Sequence, residues 1–233
     1  MSTTSSRTSS RRSGTHNRKA AVVWLGVCAF LIASAFYLAS LETEDDSEAL
    51  YDPGLAVAGL IQYAILVLIA IGIARMFPRP MDALGLRRFK ARWVWISFVV
   101  VLVTLAVGIA LEPILHGGED QGLAPDNWEP DHATAFAVNT AMIVLVAPFV
   151  EELFFRGIGV RALTVFGTMA AILLSGIVFG AVHGILGALL PLALFGVGLA
   201  WIRVRSASIW PGFIAHATYN GIGVVFLVLS WVV

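Results

Sequence analysis

The stretch HATAFAVNTAMIVLVAPFVEELFFR, residues 132–156, holds nineteen residues without a formal charge, then two adjacent carboxylates, Glu151 and Glu152, with Arg156 close behind. At about 1.5 Å of rise per residue, such a run covers most of the roughly 30 Å of hydrocarbon in a bilayer. It reads as a membrane span with an acid pair at its end. Other parts of the chain repeat the pattern. Ala20–Leu41, Pro53–Ala74 and Trp93–Leu111 are also free of charge, Ala162–Ile202 continues for 41 residues without one, and Ile209–Val233 closes the sequence in the same way. Of the 233 residues 58% are hydrophobic and only 13% charged, far below the roughly 25% of a soluble domain. Fifteen basic against fifteen acidic side chains leave no cationic excess for a phosphate backbone, so nucleic acid is not an expected partner. Membrane lipid and peptides are.

The charges lie in blocks between the apolar runs. Residues 1–19 carry Arg7, Arg11, Arg12, Arg18 and Lys19 with no acid, and Glu42, Glu44, Asp45, Asp46, Glu48 and Asp52 follow the first run. A basic block, Arg75, Arg79, Arg87, Arg88, Lys90 and Arg92, is diluted only by Asp82; a second acidic block runs from Glu112 to Asp131. Basic loops stay in the cytoplasm, so the alternation predicts a cytoplasmic N-terminus and outward acidic loops. Gly184, Gly187 and Pro191 divide the 41-residue run into a helical pair. Arg203 and Arg205 return the chain to the cytoplasm, and Pro211 opens a last helix that ends outside.

The expectation is an all-α, polytopic integral membrane bundle of about seven transmembrane helices, in the plasma membrane. It comprises a disordered basic tail (1–19), three N-terminal spans with acidic outer loops (20–131) and a four-helix core (132–233). The 22-residue first run is longer than the apolar region of a cleaved signal peptide and reads as a signal anchor. The single cysteine, Cys28, excludes an intramolecular disulfide, a thiolate zinc site and a Cys-x-x-Cys motif.

Polar side chains at membrane depth are expensive and mark function. Besides the acid pair, Phe179 and His183 in FGAVH and His216 and Asn220 in HATYN each stand four residues apart, on one helical face. Glu151 and His183 lie sixteen residues either side of Gly167, so a hairpin turning there brings them to one height. Gly176, Gly180 and Gly184 form a small-residue stripe along which another helix can approach. Glu152 precedes Arg156 by four residues, the favoured ion-pair spacing, which leaves Glu151 to face a cavity. His-Glu-x-x-His, Gly-x-Ser and Gly-x-Gly-Asp are all absent, removing zinc, serine and aspartyl intramembrane chemistries that rest on those motifs.

The ordered set Glu-Glu-x-x-x-Arg, Phe-x-x-x-His and His-x-x-x-Asn resembles the CAAX protease and bacteriocin-processing family, also called the ABI family, of intramembrane endopeptidases. The resemblance covers roughly residues 134–230. It implies cleavage of a membrane-associated protein or peptide, by CAAX-type C-terminal, leader or anchor processing. It further implies that Glu151 activates water, His183 helps to hold it, and His216 and Asn220 stabilise the oxyanion, with Glu152, Arg156 and Phe179 in support. No cofactor is preferred under this reading. The same residues could instead hold zinc through Glu151, His183 and His216, with Glu152 as base. A proton-coupled transporter, or an immunity or scaffold protein that retains the motifs without cleaving, is the alternative from another class; no internal repeat speaks for a transporter.

Overall fold

The computed structural model describes residues 4–41, 48–116, 125 and 127–231. Glu42, Glu44, Asp45 and Asp46, and Glu119, Asp120 and Asp126 of the second acidic block, lie outside the described residues. Among the described residues there is no strand. The helices are α1 (Thr4–Ala39), α2 (Pro53–Ala74), the short α3 (Pro80–Leu84), α4 (Arg92–Leu115), α5 (Ala133–Ala141), α6 (Ala147–Glu151), α7 (Val160–Leu163), α8 (Thr168–Ala181), α9 (Leu189–Ser206) and α10 (Trp210–Ser230). α1 already includes Thr4, so helix propagates back from the apolar run through the segment expected to be a disordered tail.

Among the described residues six segments are long and apolar enough to cross a bilayer: Asn17–Ala39 of α1, α2, α4, Pro130–Phe166, α9 and α10. Large apolar side chains point outward along them, with Phe30, Trp95 and Ile109 at least 70% exposed. Such a surface is tolerable only in lipid. The chain is thus a polytopic helical bundle, with one departure from seven full spans. α8 has only 14 residues, about 21 Å of helix. It stops because the chain turns back at Gly184, whose φ of 73° suits a residue without a Cβ. His183 consequently lies just past the helix end rather than within it.

Local chemistry sets the other boundaries. The Asp52 carboxylate accepts the Gly54 N–H at 2.8 Å and Pro53 occupies the first turn of α2, a strong start signal. Gly167, with φ 98°, makes the hairpin between Pro130–Phe166 and α8. α8 and α9 then pack backbone to backbone. A Cβ on Gly180 would meet the Leu189 carbonyl at 2.7 Å, and one on Gly196 would come within 2.8 Å of the Gly176 Cα. The glycine stripe serves this contact through Gly176 and Gly180, whereas Gly184 belongs to the turn and lies against Ala35 of α1.

Contacts at the two ends of the bundle establish relative sidedness. Arg79, Asp82, Arg87, Arg161 and Arg203 surround one cavity, so the α2–α4 connection, the tip of the hairpin and the end of α9 share a side. Opposite them, the Tyr51 hydroxyl donates to the Asn127 carbonyl at 2.7 Å and the Trp231 indole N–H donates to the Pro125 carbonyl at 2.6 Å. The C-terminal end of α10 therefore lies on the side away from the arginines.

Replacing Gly180 by valine should separate α8 from α9. Overpacking of this kind costs about 1–3 kcal/mol, so the melting temperature of the detergent-solubilised protein should fall by several degrees, measured against Gly72→Ala, whose Cβ would meet nothing within 4 Å.

Candidate active site

Pro130–Phe166 is a helix of 37 residues whose regular winding is interrupted twice, by π-helical stretches at Met142–Val146 and Glu152–Gly159. Pro148 accounts for the first. It has no N–H to give to the turn before it, and the Asn220 side-chain amide, from α10, donates instead to the Ile143 carbonyl at 2.8 Å. In the second stretch the loosened carbonyls are met from other helices. The Trp24 indole N–H of α1 donates to Phe154 at 3.1 Å, and the Ser175 hydroxyl of α8 donates to Phe155 at 3.2 Å. π-helical turns of this kind are frequent at functional sites, and here α6 between them ends on Glu151.

Glu152 and Arg156 are both fully buried, with Oε1 of the acid 3.2 Å from a guanidinium nitrogen, close enough for charge pairing though off the line of a hydrogen bond. Arg156 also donates to the Gly196 carbonyl at 3.4 Å and lies over the Phe179 ring, 4.0 Å from its centroid. α10 reaches the acid through Gly212, where a Cβ would overlap Glu152 Oε2.

His216 stands between the two acids. Its Nδ1 is 3.6 Å from Glu152 Oε1 and its Nε2 3.8 Å from Glu151 Oε2, so both carboxylates are close neighbours beyond hydrogen-bond length. Glu151 differs from its neighbour in keeping 15% of its side chain accessible. Phe179 separates the imidazoles, its ring centroid 4.9 Å from that of His183 and 5.4 Å from that of His216, edge to face with both. His183 Nδ1 lies 2.8 Å from the Phe179 carbonyl. A carbonyl only accepts, so Nδ1 carries the hydrogen and the neutral ring presents Nε2 as an acceptor.

The structure therefore gathers Glu151, Glu152, Arg156, Phe179, His183 and His216 around one point. Asn220 shares the His216 face of α10 but is tied to Ile143, with one amide hydrogen committed there. A residue missed from the sequence is Tyr63 of α2, whose hydroxyl donates to Glu151 Oε1 at 3.4 Å. The signal was available, since Gln62 and Tyr63 are the only side chains with hydrogen-bonding groups in the run 53–74. Among the described residues no three His, Cys, Asp or Glu side chains converge as a metal-ligand set.

A buried acid–imidazole–guanidinium cluster between membrane helices defines the class, a polytopic helical membrane protein with its chemistry inside the bundle. Residues 133–222 match the family described as type II CAAX prenyl endopeptidase, Rce1-like. The resemblance drawn from the three motifs is borne out, and the match supports an intramembrane CAAX-type protease in general terms. No curated protein and no solved structure matches the chain.

Breaking the buried pair should cost stability first. Glu152→Gln or Arg156→Ala leaves an uncompensated charge, a loss of about 3–5 kcal/mol, visible as reduced yield and melting temperature. The double variant Glu152→Gln/Arg156→Met should recover part of that loss, and a thermal-melting double-mutant cycle would reveal the coupling.

Proposed function

We propose that the protein is an intramembrane endopeptidase of the glutamic type, hydrolysing a peptide bond of a membrane-associated protein or peptide with water activated by Glu151. The observation that carries this reading is the unequal treatment of the two acids. Arg156 neutralises Glu152, which is fully buried, whereas Glu151 remains partly accessible, with the Tyr63 hydroxyl and His216 as polar neighbours.

In the step envisaged, water gives one proton to a Glu151 oxygen as its own oxygen attacks the scissile carbonyl carbon. The Nε2 of His183 accepts the second hydrogen bond of that water and so orients it. Negative charge passes to the carbonyl oxygen, where His216 and the second amide hydrogen of Asn220 are the nearest donors on one helical face. Collapse breaks the C–N bond, and Glu151 returns its proton to the departing amine. Tyr63 fixes the Glu151 rotamer, so the attacking geometry does not depend on a single flexible side chain. The low dielectric around the cluster strengthens each of these interactions. The arginine-rich side faces the cytoplasm and the C-terminus faces outward, by the asymmetry of the basic and acidic loops.

Two measurements test the proposal. Glu151→Gln should reduce peptide cleavage by purified protein at least a hundredfold while leaving the melting temperature near wild type. A folded but inactive Glu152→Gln beside a fully active Glu151→Gln would reverse the assignment. Exhaustive chelation should leave cleavage intact, and elemental analysis should find no stoichiometric zinc. Activity lost on chelation and restored by zinc alone would transfer Glu151, His183 and His216 to a metal.

A further inference from the structure

A second polar feature lies away from the acid cluster. Phe77, Arg79, Asp82, Arg87, Arg161 and Arg203 line a cavity of about 390 Å³. Four arginines there face one aspartate. Asp82 is divided between two of them, 3.9 Å from Arg79 and 3.6 Å from Arg87. Neither distance is a hydrogen bond, so the carboxylate leaves both guanidinium groups mostly uncommitted. Arg203 gives one nitrogen to the Asp82 backbone carbonyl at 3.5 Å, and its Nε is buried without an acceptor. Arg161 donates to the Thr164 hydroxyl at 3.2 Å and rests 5.0 Å from the Phe77 ring centroid, which holds its plane in place.

Planar guanidinium forks of this kind match the oxygens of a phosphate. The position of the cavity narrows the ligand further. It is formed where α2 ends, where α9 ends and where the hairpin approaches its tip, which is headgroup level on the arginine-rich side. A lipid of that leaflet presents its phosphate at this height, with its acyl chains beside the exposed apolar faces of the spans.

We propose that this cavity binds the phosphate of an anionic lipid headgroup and thereby clamps the α2–α4 connection to Pro130–Phe166 and α9. That connection touches the irregular helix where Leu84 meets Gly157, so close that a Cβ on the glycine would lie 2.6 Å from the Leu84 carbonyl. The lipid thus acts on the segment that continues from the acid pair.

The full-length protein in nanodiscs provides the test. Adding phosphatidylglycerol to phosphatidylcholine should raise the melting temperature by about 5–10 °C, the shift expected for a ligand near a hundred times its Kd on a chain of this size. Inorganic phosphate should give little. Arg87→Gln/Arg161→Gln should lose most of the phosphatidylglycerol shift while melting like wild type in phosphatidylcholine alone. Arg75→Gln, outside the cavity, should keep the shift. Native mass spectrometry should find one phosphatidylglycerol retained per wild-type chain and none on the double variant. An equal shift in wild type and double variant would overturn the site, and full stabilisation by inorganic phosphate would overturn the lipid. If the double variant does not fold, Arg87→Gln alone, at a side chain 55% exposed, serves the same comparison. Because cleavage is not the readout, failure here leaves the proposed protease chemistry untouched, and failure of that chemistry leaves this site standing.

Discussion

The buried contact between Glu152 and Arg156 is the constraint around which the other membrane-depth residues are arranged. Two opposite charges in hydrocarbon are tolerable only together. That requirement brings α9 close, to supply the Gly196 carbonyl to Arg156, and brings α10 close, through Gly212, to lay His216 beside the acid. It also fixes Phe179, whose ring face receives the guanidinium and whose edges meet both imidazoles. One ion pair thereby sets the distance between four helices. Glu151, the residue beside it, inherits a position without being bound into the pair.

A regular α-helix would not present these groups as they stand. The π-helical stretches shift the face of Pro130–Phe166 on either side of Glu151, and each leaves carbonyls short of donors at membrane depth, where no water substitutes. Asn220, Trp24 and Ser175 supply the donors. Asn220 thus has a structural task that its motif spacing does not reveal, and a variant there would alter backbone geometry beside Pro148 as well as any contact to substrate.

The spans were legible because formal charge is so sparse that its blocks outline them; the run Pro53–Ala74 coincides with α2 at both ends. The acid–guanidinium pairing was legible from a four-residue spacing, and the hairpin from Gly167. Less accessible were features decided by tertiary contact. Gly184, Gly187 and Pro191 marked a break in the charge-free run but not that α8 stops as early as Ala181, since the turn depends on Gly184 fitting against Ala35 of a distant helix. His183 therefore read as a helical residue when it is held instead by the carbonyl of Phe179. Nor does the winding of residues 142–159 appear in the sequence, because it arises from donors on other helices, 20 to 130 residues away, as well as from Pro148.

The family match stops short of the first three spans, yet the matched segment is not complete without them. Residues 133–222 contain the acids and histidines, but the Phe154 carbonyl in the second π-helical stretch accepts from Trp24, and Glu151 accepts from Tyr63. Gly157 packs directly on the Leu84 carbonyl of the α2–α4 connection. Removing α1 and α2 would turn one backbone acceptor and one carboxylate oxygen toward lipid, each at a cost of several kcal/mol. The N-terminal helices are therefore free to vary in sequence only where they do not meet these three points. Trp24, Tyr63 and the backbone at Leu84 are the points at which these segments meet the helix that carries the two acids, and Ser97 of α4 adds a donor to the Pro211 carbonyl of α10.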